Sequence, residues 1–423
     1  MIVIYTSKVT NRIKYTFDFV FRQYFGIDYT IVNNKNDIDR NKNIYLNYSN
    51  EYLANYINVF QHHLLLETTI QPQRLTVTWI NDFPIFFETN NLFEIPFDIF
   101  SSIFYLLSRY EEYLPHQKDA HGRYVSSNSI LAHNAFQFSP IVEVWLQYLK
   151  HQLLQYNTSL PFKQHKFTYL PTFDIDNAFR FKGRNWLKNP ANIFTASFWR
   201  VMMQKKKDDF DSYTDIFSEL EKYTLPSIFF FLVNDNGKLN SKVAPTSKTL
   251  KQLILNIKNK TQIGIHPSYE AFNLSTFDEE IGLLSTHTHE IATVSRQHFL
   301  RISFPIYYHE LSNTIIQKDY SLAYPDVPGF RAGTSQPFYF YNLILDTPTM
   351  LLIQPSCWID ATFEYYQPID VEQIILKFLT LINQLKKING NLVAIFHNDL
   401  LATEKYWGVF KFINQQATKK DEL

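Results

Sequence analysis

The 423-residue chain holds one cysteine, Cys357, so no intrachain disulfide can form, and neither a disulfide framework nor a cysteine-based zinc cluster can be built. Net charge is also missing: 40 basic residues balance 40 acidic ones, which removes any broad electrostatic claim on nucleic acid or anionic lipid. The basic run "QKKKDD" at 204–209 mixes both signs and reads as a solvated helix end. No window approaches the roughly 18 uninterrupted apolar residues of a membrane-spanning helix. The amino terminus lacks a basic start followed by an apolar stretch of about 7 to 15 residues, so no secretory signal is read and a cytoplasmic chain is expected. The final "KDEL", 420–423, is an address only for a chain that enters the secretory lumen, and here reads as a charged, frayed end. Glycine is scarce, at 10 residues, while Phe (38) and Tyr (27) abound. Aromatic surplus can furnish sugar-stacking platforms, but the parallel richness in Asn, Lys and Ile reads as a compositional habit and decides nothing.

With 45% hydrophobic and 19% charged residues the profile is globular, and the length allows two domains. Two helix signals close the first part. "PFDIFSSIFYLLSRYEEYL", 96–114, repeats apolar residues at spacings of three and four, and "SPIVEVWLQYLKHQLLQY", 139–156, opens on a serine cap with Pro140 at the first helical position. The polar "NTSLPFKQHK", 157–166, follows. This places a boundary between an accessory α/β domain over 1–156, of unassigned role, and a second domain over 166–423. In the second, apolar runs of strand length ("KFTYLPTF", "PSIFFFLV", "TQIGI", "MLLIQPSCW", "NLVAIF") alternate with helical stretches, which predicts buried parallel strands in an α/β barrel or a doubly wound sheet.

The polar residues fall where those runs stop. The first ends in Asp174 and Asp176, the third in His266, the fourth in Asp360 and the last in His397. Carboxyl ends of parallel strands are the edge where ligand and catalytic groups collect. Side chains alternate along a strand, so Asp174 and Asp176 project to one side about 6 to 7 Å apart. Two bare carboxylates so placed repel, and a divalent cation or a cationic side chain beside them relieves this. Either acid could instead cap the following helix.

"TFDID" (172–176), "IGIHPSY" (263–269), "GFRAG" (329–333) and "LVAIFHN" (392–398), in that order, resemble the successive motifs of the polysaccharide deacetylase family, the NodB-homology domain, in a bacterial subgroup with an amino-terminal extension. The resemblance spans roughly 165–400 and includes "PSIFFFLV". It implies a distorted β/α barrel that holds a divalent metal, commonly zinc, through one aspartate and two histidines, and that hydrolyses N- or O-acetyl groups on a sugar or glycan precursor. Carried over by position, Asp174 would be the general base, Asp176 and His266 metal ligands, Arg331 the cation orienting the base, and His397 the general acid. Asp360, Trp358 and Tyr269 would face substrate, Asp360 alternatively orienting His397.

This sequence departs from the pattern at position 270, where the family's second metal histidine is replaced by Glu. Either Glu270 supplies an oxygen or His298 comes in from the next element. The run "VSRQHFLRISFP" favours His298, because arginine, glutamine and histidine inside an apolar segment need partners. Ile175 between the two acids leaves the base and ligand roles exchangeable. His287 and His289 have a metal-like spacing but read as a solvated face. Two other readings stand beside the deacetylase: a carbohydrate-binding barrel that has lost the metal, and a related carbon–nitrogen hydrolase of a small amide. No nucleic-acid partner and no membrane span are expected.

Overall fold

The computed structural model describes residues 1–35, 44–89, 93–184, 195–273 and 276–419; the terminal "KDEL" lies outside them. The chain starts in a parallel sheet of Ile2–Tyr5 (β1), Tyr29–Val32 (β2), Ile44–Ser49 (β3) and Ile57–Phe60 (β4), in the order β2-β1-β3-β4. Thr78–Ile80 (β5) and Phe83–Ile85 (β6) pair antiparallel. Helix Ile99–Leu107 begins at Asp98, whose carboxylate accepts the Ser101 N–H, and every one of its residues is buried. The second expected helix runs Ile141–Tyr156, buries Trp145, Leu146, Leu149 and Leu153, and stops before the polar stretch that follows.

The remaining strands form one nine-stranded sheet: Thr168–Ile175 (β7), Ile228–Phe231 (β8), Gln262–Ile265 (β9), Val294–Ser295 (β10), Lys318–Asp319 (β11), Phe338–Asn342 (β12), Thr347–Ile353 (β13), Trp358–Ile359 (β14) and Asn391–His397 (β15). Their order is β12-β13-β11-β10-β9-β8-β7-β15-β14, parallel except for β12 against β13. Strand β8, "IFFF", is buried at every position, as expected for a strand covered on both faces. Gly264 in β9 is required by close approach, since a Cβ there would meet the Phe230 ring at 2.4 Å. Helix Val371–Lys387 covers the sheet with the stripe Ile374, Phe378, Leu381, Ile382 and Leu385, and its start is capped by Asp370.

Among the described residues the ladder is open, since edge strands β12 and β14 are not paired with each other. One expectation is corrected. The expected single strand "MLLIQPSCW" is two. Pro355 offers no N–H to a ladder, and residues 354–357 cross from one part of the sheet to another, Gln354 N–H bonding to Asp319 O (2.8 Å) and Cys357 N–H to Val393 O (3.1 Å).

The amino-terminal part and the nine-stranded sheet share one continuous apolar core, from Ile2 to Ala417. Polar contacts also join them. Phe330 N–H bonds to Gln137 O (2.8 Å), Val142 N–H to Gly333 O (2.9 Å), and Tyr15 donates to Tyr339 O (2.7 Å). No helix among the described residues is long and apolar enough to cross a membrane.

Candidate metal centre

Because β7, β9, β10, β14 and β15 run parallel, their carboxyl ends meet along one edge. Asp174 is paired in register with His397 of β15 and Phe230 of β8, and Asp176 follows the last residue of β7. His266 is the first residue after β9, Arg296 the first after β10, and Asp360 the first after β14. His298 stands two residues beyond Arg296, at the start of a short 3-10 turn.

The first acid has a cation beside it. Arg296 Nη1 donates to Asp174 Oδ1 at 2.8 Å, both side chains are nearly sealed from solvent, and the guanidinium lies 4.4 Å from the centre of the Phe230 ring. The guanidinium pairs with one oxygen of the buried carboxylate and leaves the other oxygen available.

Asp176 makes the second half of the site with two imidazoles. His266 Nε2 lies 3.1 Å from Asp176 Oδ1, His298 Nδ1 lies 3.4 Å from the same oxygen, and the two ring nitrogens are 3.1 Å apart. The far nitrogen of each ring faces a backbone carbonyl: His266 Nδ1 meets Arg296 O at 2.5 Å, and His298 Nε2 meets Leu239 O at 2.8 Å. A carbonyl only accepts, so each far nitrogen carries the proton and, in the neutral ring, the near nitrogen presents a lone pair. Asp176 Oδ1 is buried and has no hydrogen-bond partner among the described residues. Three electron pairs therefore converge with no donor between them, an arrangement that positive charge stabilises.

The donors fit a divalent metal. One aspartate and two histidines are a common ligand set with a position left open. Bonds of about 2.0 to 2.2 Å separate neighbouring ligand atoms by roughly 2.8 to 3.6 Å across octahedral and tetrahedral geometries, and the observed 3.1, 3.1 and 3.4 Å fall inside that range. Charge points the same way. Burial disfavours ionised Asp176, yet His298 and His266 hold its carboxyl well below the usual range; burial likewise opposes a charged His298, and Asp176 outweighs it and raises that pKa. A proton and a cation thus compete for one place.

Across the mouth, His397 Nδ1 meets Asp360 Oδ1 at 2.6 Å, and Asp360 Oδ2 accepts the His397 N–H at 2.8 Å. Burial lowers the His397 pKa, but Asp360 overrides it and lifts the ring well above its ordinary value. His397 shares with Asp174, Asp176, His266 and His298 a cavity of about 110 Å³ with an apolar wall that includes Leu300, Ile359, Ile395 and Leu400. Its size admits several waters or an acyl group.

Of the residues predicted from sequence, Asp174, Asp176, His266, His298 and His397 come together around this cavity, and Asp360 stands behind His397. Arg331 does not reach Asp174. It is fully buried and donates through Nε to Glu112 Oε1 (2.9 Å) and through Nη2 to Glu112 Oε2, and Gly329 beside it packs on the Gln137 backbone, where a Cβ would sit 2.5 Å from the carbonyl oxygen. The cation at Asp174 is Arg296 instead. Trp358 is buried against Phe363 and Phe378, because its strand turns that side chain into the core. Tyr269 lies just outside the cavity, its hydroxyl 3.2 Å from His121 Nδ1. Glu270 is exposed and bonds Asn240, and His287 meets Pro245 O at 2.7 Å, away from the cluster. Arg123, Tyr366 and Asp399 also line the cavity and were not anticipated. Asp399, two residues past His397, carried the plainest sequence signal.

What fold and site define together is an open α/β sheet with an aspartate–histidine cluster suited to a metal at its carboxyl edge. Residues 2–158 match a protein family described as a family of unknown function, DUF7033. No curated protein matches the chain. Among solved structures, a provisionally assigned polysaccharide deacetylase from Mycobacterium smegmatis shares 13% identity over 61% of this chain and 86% of its own, with a TM-score of 0.40. Puue allantoinase shares 13% over 60% and 85% at 0.38, and a provisionally assigned polysaccharide deacetylase from Pseudomonas aeruginosa PAO1 shares 11% over 61% and 87% at 0.39.

Proposed function

We propose that the chain is a metal-dependent hydrolase, built as a distorted relative of the NodB-type barrel, that removes N- or O-linked acetyl groups from an acylated sugar or glycan precursor. The observation that carries this reading is the orphaned Asp176 Oδ1, which faces two imidazole lone pairs at 3.1 and 3.4 Å. The motif order at the strand ends supplies the reaction class.

Asp176, His266 and His298 would hold the cation, zinc being the expected one, which when bound supplies Lewis acidity and acidifies water. Asp174 keeps Oδ2 for proton abstraction, since Arg296 occupies Oδ1, and Oδ2 lies 3.8 Å from His266 Nε2. His397, charged by virtue of Asp360, returns a proton from Nε2 to the departing amine or alkoxide. The apolar wall excludes competing water from around the acyl methyl group.

Acetate release screened across N- and O-acetylated sugars, with small cyclic and linear amides as a second panel, tests the reading when run with and without added zinc. Turnover that follows metal content supports it. Protein purified without chelator that holds less than about a tenth of an equivalent of metal, with no recovery on addition, sinks it.

The proton role of His397 makes a separate prediction. Asp360 raises the His397 pKa, so Asp360→Asn lowers it and the ring loses its proton at lower pH. The alkaline limb of kcat/KM is therefore expected to move down by about one pH unit or more. A limb that stays in place would remove His397 from the acid role.

A further inference from the structure

The turn at Asp119–Arg123 belongs to the amino-terminal part of the chain, yet its arginine lines the cavity of the metal centre. The turn is rigidly made. Asp119 Oδ1 accepts the N–H groups of His121 and Arg123, both at 2.9 Å, and Asp119 Oδ2 accepts Arg123 Nε at 2.8 Å. Gly122 at the bend has φ +76°, a left-handed value that suits glycine.

From this turn the Arg123 guanidinium reaches both walls of the mouth. Nη1 donates to the Phe299 carbonyl at 2.7 Å, and Nη2 donates to the Tyr366 hydroxyl at 2.8 Å, with the guanidinium 5.3 Å from the centre of that ring. Phe299 directly follows His298, and both Phe299 and Leu300 hold left-handed backbone, φ +59° and +49°. Two successive bulky residues in that region are unfavourable unless their surroundings impose it, and such strain gathers at functional sites. Neighbouring contacts secure the same segment: Arg301 Nε donates to His121 O at 3.0 Å, and the His121 ring lies 4.9 Å from that of Phe299. Ser126 Oγ donates to Asp326 Oδ2 at 2.6 Å, next to Pro325 of the cavity wall.

We propose that the Asp119–Arg123 turn is a fixed wall of the reaction cavity and that Arg123 is a positioning residue, which sets the width of the mouth and the placement of His298 by holding Phe299 and Tyr366 together. The role gives the amino-terminal part of the chain a direct share in substrate recognition, and it rests on the metal-hydrolase reading above. A planar guanidinium can span two acceptors on opposite walls, whereas an ammonium is a single point donor.

The test uses the full chain with Arg123→Lys, Tyr366→Phe and the double variant, read by acetate-release kinetics and by the absorption band of bound cobalt. Arg123→Lys is expected to raise KM about tenfold while kcat changes less than about threefold, and to shift the cobalt band. Tyr366→Phe moves KM in the same direction by less, and the double variant is no worse than Arg123→Lys, because both substitutions break one contact. A purely structural tie would lower the melting temperature with KM and the band unchanged, and that result overturns the proposal. Should Arg123→Lys fail to fold, Tyr366→Phe decides on the same two readouts, since Tyr366 is 37% exposed. If the unaltered chain binds cobalt but turns over nothing, the deacetylase reading fails and the band alone decides the wall. A chain that binds no cobalt overturns both.

Discussion

Asp174→Asn is expected to retain a full equivalent of metal while losing acetate release by about 10²- to 10⁴-fold, the usual worth of a general base. Asparagine keeps the shape, and its carbonyl oxygen can still accept from Arg296 at the 2.8 Å contact, but its amide cannot take up a proton. Asp176→Asn and His266→Ala behave differently. His266→Ala deletes one of the three electron pairs that lie 3.1 to 3.4 Å apart, Asp176→Asn replaces the anionic donor by a neutral amide, and both are expected to emerge from gel filtration with little metal and background activity. Metal content and turnover, measured on the same samples, separate the two classes. Full occupancy in both Asp176→Asn and His266→Ala would overturn the ligand assignment. Metal lost in Asp174→Asn and kept in Asp176→Asn would exchange the roles of the two acids, an ambiguity that Ile175 between them left open in the sequence.

The part of this site legible in the sequence is the part set by strand periodicity. Asp174, Asp176, His266 and His397 each end an apolar run, and parallel pairing brings run ends to a common edge whatever lies between them. His298 was legible for a different reason, a polar interruption of an apolar segment that needed a partner. The same interruption contained Arg296, which touches Asp174. The family resemblance instead assigns that cation to Arg331, within "GFRAG" between Gly329 and Gly333. Those glycines serve a close approach of backbone, Gly329 to Gln137 and Gly333 to Leu106 and Ile141, tertiary contacts that no local pattern encodes. Trp358 was misplaced because a two-residue strand gives too little alternation to tell core from cavity. Arg123 and Tyr366 were out of reach altogether, since they meet only through a contact spanning 243 residues. The predicted strands themselves were found within a few residues, apart from the run broken at Pro355.

Glu112→Gln is expected to destabilise the fold by about 3 to 5 kcal/mol, the cost of leaving buried charge without its partner. Glu112 is sealed between two guanidiniums: Arg109 Nε donates to Oε1 at 2.8 Å, Arg331 Nε to the same oxygen at 2.9 Å, and Arg331 Nη2 to Oε2, with both arginines fully buried. Arg109 also holds Glu111 at 2.8 Å, so the carboxyl amide would leave two cations facing one remaining anion. Burial pushes the Glu112 pKa up, but Arg331 and Arg109 outweigh it and hold the carboxyl below its ordinary value. A depressed folded-state pKa means the contribution is fully present above the unfolded glutamate value of about 4.3 and is lost as pH falls through the folded value. Urea unfolding of the unaltered chain and of Glu112→Gln should therefore differ most near neutral pH and converge in acid. Glu112→Leu combined with Arg331→Met removes the pair together, leaves Arg109 to Glu111, and is expected to recover much of the loss. A difference below about 1 kcal/mol at pH 7 would mean that water reaches this junction and screens it, and the ion pair would then contribute little to holding the amino-terminal part to the sheet.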